Sequence, residues 1–167
     1  RWFNKHLDSF KEVVDKDEKL KNIIFGENEY NEKDLLYFLL MDTESLKIVK
    51  EKCDVNNTIF LKEETIGYLT KRYENFRSSQ AAKIVEELKI LSCPYCNQIG
   101  MITYQKDGKR KFTGELDHYY SKSKYPELMI CLYNLIPACR VCNGLKKEKN
   151  EKIINPYDIS YKSNITF

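Results

Sequence analysis

Apolar side chains recur every three or four positions through the first 91 residues, a spacing that predicts amphipathic helices. A first helical stretch is predicted from apolar residues that recur at this spacing, namely Leu7, Phe10, Val13 and Val14, then Leu20, Ile23 and Ile24. Asn31, with Asp34 three residues later, predicts an N-cap for a helix that continues through the apolar residues 35–40. Two further helices are predicted over about 63–73 and 79–91. The aromatic residues on these apolar faces are expected to pack in a core.

The pattern changes at Ser92, where the helical periodicity stops. Residues 101–104 and 111–116 are β-prone, and the Asp107-Gly108 step between them predicts a hairpin. Its second arm is expected to run straight into Asp117 and His118. A short lysine-rich helix is predicted over 143–149. The fold class predicted is therefore α+β, with a helical region over 1–91, interpreted as partner-binding or regulatory, and a small module over 92–167.

Length and composition set the class of protein. The 167 residues are 42% hydrophobic and 32% charged, as in a soluble globular domain rather than a disordered chain. No apolar run approaches the ~20 residues of a membrane span, and no signal-peptide pattern opens the chain, so a cytoplasmic location is expected. The chain begins with Arg1 rather than Met, which is consistent with a piece of a longer protein.

Positive charge is concentrated in the C-terminal third. The net charge is only +3, but residues 101–152 hold 11 Lys or Arg against 6 Asp or Glu. The rest of the chain holds 17 basic and 19 acidic residues. Phosphate binding would favour this placement, although an ordinary solvated surface would also produce it.

Six cysteines lie at positions 53, 93, 96, 131, 139 and 142. Cys93 and Cys96 form one Cys-x-x-Cys pair, and Cys139 and Cys142 form another. Two such pairs in one short region favour a four-cysteine zinc site, and without a secretion signal a metal is favoured over disulfides. A single pair would also suit a redox motif, but the βαβ context of such motifs is missing. The cysteines at 53 and 131 have apolar neighbours and are expected in the core.

The order of these motifs resembles the HNH family, which belongs to the His-Me finger (ββα-metal) nucleases. The matching segments cover about residues 90–157, or about 40% of the chain. They are Cys93-Pro94-Tyr95-Cys96, Leu116-Asp117-His118-Tyr119, Lys122-Ser123-Lys124-Tyr125-Pro126, Asn134-Leu135-Ile136-Pro137-Ala138-Cys139 and Cys142-Asn143. Two positions depart from the usual family pattern. Ser121 stands where a proline is common, and Asn143 stands where a histidine is often found.

The chemistry of phosphodiester hydrolysis fits these residues. A histidine with an ordinary pKa near 6.5 suits His118 as the general base. The carboxylate of Asp117 and the amide oxygen of Asn143 suit a catalytic Mg²⁺ or Mn²⁺, and the resemblance implies that Asn134 orients the His118 loop. Adjacent residues of a regular strand point to opposite faces, so Asp117 and His118 can serve one site only if the strand ends or bends there. Candidate phosphate contacts are Lys122, Lys124, Lys146 and Lys147.

Two classes of function remain open. One is a metal-dependent endonuclease that cuts DNA with little sequence preference, since nothing in the chain resembles a recognition helix. The other is a non-catalytic zinc-containing module for nucleic-acid binding or assembly, which would not need Asp117, His118 and Asn143. An RNA substrate also stays open. The helical region is a candidate surface for a protein partner such as an ATPase subunit. The resemblance suggests a bacterial anti-phage or mobile-element system, with the chain as an effector of anti-phage defence.

Overall fold

A computed structural model describes residues 1–55, 61–148 and 154–158, with the backbone alone for 145–148. Its N-terminal part is helical and its C-terminal part holds four short strands, so the α+β fold class is confirmed. The helices are α1 (Leu7–Lys16), α2 (Glu18–Phe25), α3 (Glu32–Leu40), α4 (Thr43–Val55), α5 (Glu63–Glu87) and α6 (Arg140–Glu148). The strands are β1 (Thr103–Lys106), β2 (Lys109–Phe112), β3 (Glu115–His118) and β4 (Leu135–Ala138). None of the described helices is long and apolar enough to cross a membrane.

The chain divides into two compact units that do not follow its linear order. The first unit contains residues 1–73 and 120–134, and the second contains 74–119 together with the chain from 135 onward. The first unit buries the apolar faces of α1 to α4, including Phe10, Leu20, Leu35 and Leu46. The functional division predicted between residues 91 and 92 stays a prediction.

The predicted capping box of α3 is confirmed. The backbone amide of Lys33 donates to the Asn31 side chain over 2.8 Å, and the backbone amide of Asn31 donates to the Asp34 carboxylate over 2.9 Å. These bonds satisfy two amides that a helix N-terminus leaves without intrahelical partners. Local sequence is therefore enough to fix where this helix begins.

The two helices predicted over 63–73 and 79–91 are in fact one, α5, which is 25 residues long. The intervening segment contains no glycine or proline, and its Phe76 is buried. The hydroxyls of Ser78 and Ser79 donate to the carbonyl of Asn75, so these polar residues are compatible with the helix interior. Helix α4 was not predicted individually, although Asp42 accepts a capping bond from the amide of Ser45.

The predicted hairpin is present, but its second arm does not run into Asp117 and His118. Strands β1 and β2 join through Asp107 and Gly108, whose φ values of 52° and 68° match the mirror-image turn that hairpins favour. Strand β2 ends at Phe112, and β3 pairs instead with β4 in a separate antiparallel sheet. A Cβ atom at Gly114 would lie 2.6 Å from the carbonyl oxygen of Ala138, so only glycine fits at this corner.

Asp17 joins three helices of the first unit and is 2% exposed. Its carboxylate accepts from the Leu20 amide at 3.2 Å, the Lys62 amide at 3.0 Å and the Thr65 hydroxyl at 2.7 Å. Burial by itself would raise the pKa of Asp17, but these hydrogen bonds outweigh burial and lower the pKa below its usual value.

Replacing Asp17 with alanine should lower the free energy of unfolding by about 2–4 kcal/mol, because a helix cap and two other buried hydrogen bonds are lost. Since the folded-state pKa is lowered, this stabilisation is complete above the unfolded-state pKa of about 3.9 and is lost as the pH falls through the folded-state value. Urea unfolding at pH 7 and pH 3 should therefore show a smaller difference at pH 3. Asp8→Ala, at an exposed position of α1, is the control and should change little. An equal loss in both variants would contradict the role of Asp17.

Candidate functional site

Four cysteine sulfurs converge in the second unit. The Sγ atoms of Cys93, Cys96, Cys139 and Cys142 all lie within 4.8 Å of one another. Sulfur ligands in a tetrahedral zinc site stand ~3.8 Å apart, because each Zn–S bond is about 2.3 Å long. The cluster could therefore hold a metal ion such as zinc after a small contraction.

Backbone amides surround the cluster in the way that a metal knuckle requires. The amide of Cys139 lies 3.4 Å from the sulfur of Cys93, and the amide of Cys142 lies 3.4 Å from the sulfur of Cys139. A hydrogen bond from the backbone amide of Gln98 is the main reason that the pKa of the Cys96 thiol falls to about 7. Burial raises the pKa of Cys139 and Cys142, so metal binding must displace protons from these thiols. Metal affinity is accordingly expected to weaken as the pH falls.

Strand β3 carries the predicted Asp-His pair. Its register sets Glu115 opposite Ala138, Asp117 opposite Ile136 and His118 opposite Leu135. Strand alternation puts Glu115 and Asp117 on one face. Strand β3 ends at His118 and the chain bends at the next two residues, so the strand ends where a shared site for Asp117 and His118 requires it. Asp117 is 5% exposed and His118 is 9% exposed.

Asp117 is tied directly to the first cysteine pair. The phenol of Tyr95, which lies between Cys93 and Cys96, donates to Oδ2 of Asp117 over 2.9 Å. Burial and the nearby Asp117 carboxylate raise the pKa of Tyr95, which keeps its hydroxyl a donor. The conformation of the first knuckle therefore orients the Asp117 carboxylate.

Asn143 is bonded to β3 through Glu115, a residue that was not among the predicted site residues. Its Nδ2 atom donates to Oε2 of Glu115 over 2.6 Å, and Nε of Arg140 lies 3.5 Å from the other Glu115 oxygen. This bond uses the amide nitrogen of Asn143 and leaves its carbonyl oxygen as the atom suited to a cation. Glu115 stands two residues before Asp117, and strand periodicity is the sequence signal that could have identified it.

Asn134 is fully buried, and its side chain hydrogen-bonds the backbone of the segment that follows Asp117 and His118. Its Oδ1 accepts from the backbone amide of Tyr120 over 2.7 Å. Its Nδ2 donates to the carbonyls of Tyr120 and Leu128, over 3.2 Å and 2.9 Å. Because Tyr120 is two residues beyond His118, these bonds fix the start of the segment that leaves β3.

The predicted phosphate-contacting lysines fall into two groups. Lys122 lies over the ring of Tyr73, 5.2 Å from its centroid, and Lys124 lies 3.5 Å from Oδ1 of Asp54. Both are exposed residues of the first unit. Lys146 and Lys147 belong to α6 in the second unit, and their side chains lie outside the described part of the chain.

Comparisons with known proteins find two relatives. The chain is 36% identical over 73 residues to Septu protein PtuB of Bacillus thuringiensis, an alignment that covers 42% of this chain and 26% of that protein. It is 29% identical over 101 residues to Protein ea31 of Escherichia phage lambda, covering 53% of this chain and 30% of that protein. The chain thus spans less than a third of the length of each relative. No family model and no solved structure matches it, so the HNH resemblance remains an interpretation of the motifs.

The purified chain should carry one equivalent of a tetrahedral metal ion such as zinc. Cys96→Ser should lose that metal, since it removes one of four converging sulfurs, whereas Cys131→Ala should keep it because Cys131 is outside the cluster. Elemental analysis of both variants, purified without chelator, measures the difference. Full metal content in Cys96→Ser would show that the ion binds elsewhere.

Proposed function

We propose that this chain is a metal-dependent endonuclease that hydrolyses phosphodiester bonds of DNA with little sequence preference. The observation that carries the proposal is the arrangement on β3. Asp117 and Asn143, the two oxygen-bearing candidates for a catalytic ion, are each oriented by a second side chain, and His118 ends the same strand. A module that only binds has no need for this set of residues.

The four cysteines would hold a structural zinc ion. Thiolates suit zinc, whereas a hydrolytic Mg²⁺ or Mn²⁺ prefers oxygen. In this arrangement zinc fastens the knuckle that carries Tyr95 to the start of α6, which carries Asn143. The zinc would therefore act on catalysis only by holding the positions of other residues.

Asp117 and Asn143 would hold the catalytic Mg²⁺ or Mn²⁺. Both side chains are more than nine-tenths buried and are fixed by hydrogen bonds, which fits hard oxygen ligands with a set orientation. When bound, such an ion polarises the scissile phosphate and offsets the negative charge that develops in the transition state. Tyr95 and Glu115 would orient these two ligands without touching the substrate.

His118 would act as the general base. Its imidazole would take a proton from the attacking water as the water oxygen bonds to phosphorus and the bond from phosphorus to the leaving oxygen breaks. The leaving oxygen would take a proton from solvent. Because β3 ends at His118, strand alternation does not hold its ring on the face opposite Asp117. Asn134 would help to orient His118 by holding the backbone of Tyr120, two residues farther along.

The biological setting is also part of the proposal. The resemblance to the HNH family suggests an effector of a bacterial anti-phage system, and the two relatives come from a bacterium and from a bacteriophage. Such an effector would act in the cytoplasm. The helical region 1–91 would then receive a protein partner, for instance an ATPase subunit that controls the nuclease.

A non-catalytic zinc module that binds nucleic acid is the alternative, and the nuclease proposal is preferred because of the Asp117, His118 and Asn143 set. In plasmid cleavage with Mg²⁺ or Mn²⁺, His118→Ala should lower the rate at least about 100-fold, because the general base is lost. His6→Ala, at the other histidine, is the matched control and should cleave like the parent. Both variants must keep parent-like circular dichroism and cysteine-bound metal. A folded His118→Ala protein that cleaves at the parent rate would exclude this base.

Glu115→Ala should raise the Mn²⁺ concentration for half-maximal cleavage by about 10-fold or more, because Glu115 orients the proposed metal ligand Asn143. The cleavage rate at saturating Mn²⁺ should change less, because Glu115 would not touch the substrate. A Mn²⁺ titration of the cleavage rate measures both quantities. Arg140→Ala removes the neighbouring charge and leaves the Asn143 bond, so it should shift the titration less. Identical Mn²⁺ dependence in Glu115→Ala and the parent would contradict this role.

A further inference from the structure

The β1–β2 hairpin has two chemically different faces. Residues that lie directly opposite each other in an antiparallel pair share a face. The register therefore puts Tyr104 and Lys111 on the same face as Lys106 and Lys109. The opposite face carries the pairs Gln105–Arg110 and Thr103–Phe112. One face thus holds three lysines and a tyrosine, which together are named the cationic face here.

The opposite face is already occupied within the second unit. The guanidinium of Arg110 bonds Oε2 of Glu86 on α5 over 2.7 Å, and Phe112 is half-buried. The amide of Thr113 donates to the carbonyl of Ile102, which anchors the base of the hairpin. These contacts hold this face of the hairpin toward the rest of the second unit, so the cationic face turns outward.

The cationic face is open to solvent and, among the described residues, its lysines lack carboxylate partners. Lys106, Lys109 and Lys111 are exposed, and Tyr104 is 43% exposed. Within the described residues, none of these three lysines forms an ion pair with a carboxylate. Lys106 stands directly opposite Lys109, and like charges at such positions destabilise a sheet. Hairpin stability therefore does not account for this composition, whereas an external polyanion would relieve the repulsion.

Two of the lysines that the sequence predicts as phosphate contacts already have contacts within the chain. Lys124 already lies near a carboxylate of Asp54, and Lys122 lies over the ring of Tyr73. A phosphate at either position would compete with these contacts. The hairpin lysines would have no such contacts to give up.

We propose that the cationic face binds the phosphate backbone of duplex DNA. The inference rests on the proposed nuclease function and assigns its substrate-holding surface to residues outside the Asp-His-Asn site. A two-stranded ribbon fits the major groove of B-form DNA, about 12 Å wide, whereas the deep, narrow groove of A-form RNA does not admit one. Lys109 and Lys111, two positions apart on one strand, stand ~7 Å apart and can contact separate phosphates. Tyr104 adds a planar ring beside them.

The test is equilibrium binding of a fluorescein-labelled 30-base-pair DNA duplex, followed by anisotropy in a series of salt concentrations without divalent cations. The hairpin variant combines Lys106→Ala, Lys109→Ala and Lys111→Ala. The matched control combines Lys33→Ala, Lys47→Ala and Lys71→Ala, three exposed positions of the first unit, so both proteins lose the same net charge. A third protein carries arginine at the three hairpin positions. All must keep parent-like circular dichroism and cysteine-bound metal.

The hairpin variant should bind at least tenfold more weakly than the parent. The slope of log K against log salt should become shallower by about 2–3, because each lost phosphate contact removes about 0.9. The control should stay within about threefold of the parent, and the arginine variant should bind like the parent. Equal weakening in both alanine variants, unchanged binding in the hairpin variant, or no duplex binding by the parent would each overturn the inference. Cleavage is assayed separately at saturating DNA. If the binding test fails while the parent still cleaves, this inference is wrong and the nuclease proposal stands.

Discussion

Convergence of the four cysteine sulfurs is the constraint on which the rest of the second unit depends. The sheet of β3 and β4 has only four residues in each strand, and an isolated pair of such strands is marginal at best. The cysteines join this sheet to the first knuckle and to α6. Tyr95 directly precedes Cys96, and Asn143 directly follows Cys142. The bonds Tyr95–Asp117 and Asn143–Glu115 therefore each begin one residue from a cysteine of the cluster.

The two units organise their polar groups differently. In the first unit, the carboxylate of Asp17 joins separate helices around an apolar core. In the second unit, the core is small, and side-chain bonds such as Tyr95–Asp117 and Glu115–Asn143 fix the local geometry. With so small a core, a metal ion bound by the four cysteines would add to the stability of this unit.

Features that depend on neighbouring residues could be predicted from the sequence, and features that depend on distant partners could not. The Asn31 cap, the Asp107-Gly108 turn and the two cysteine pairs each follow from residues a few positions apart. The division of the predicted second arm, residues 111–116, between β2 and β3 depends on β4, which lies about 20 residues downstream. The role of Glu115 depends in the same way on Asn143. Periodicity also divided α5 in two because exposed serines interrupt its apolar face, although their hydroxyls bond back to the helix.

The close approach at Gly114 separates two parts of the chain that can change independently during evolution. A side chain at this position would collide with the backbone of β4, so any other residue would displace β3 from its place beside β4. Beyond this corner, the hairpin ends in an exposed Asp107-Gly108 tip, in a sheet separate from that of β3. Lengthening the tip, or changing its charge, would leave the strand with Asp117 and His118 undisturbed. Homologues could therefore vary the hairpin tip while the residues of β3 stay constant.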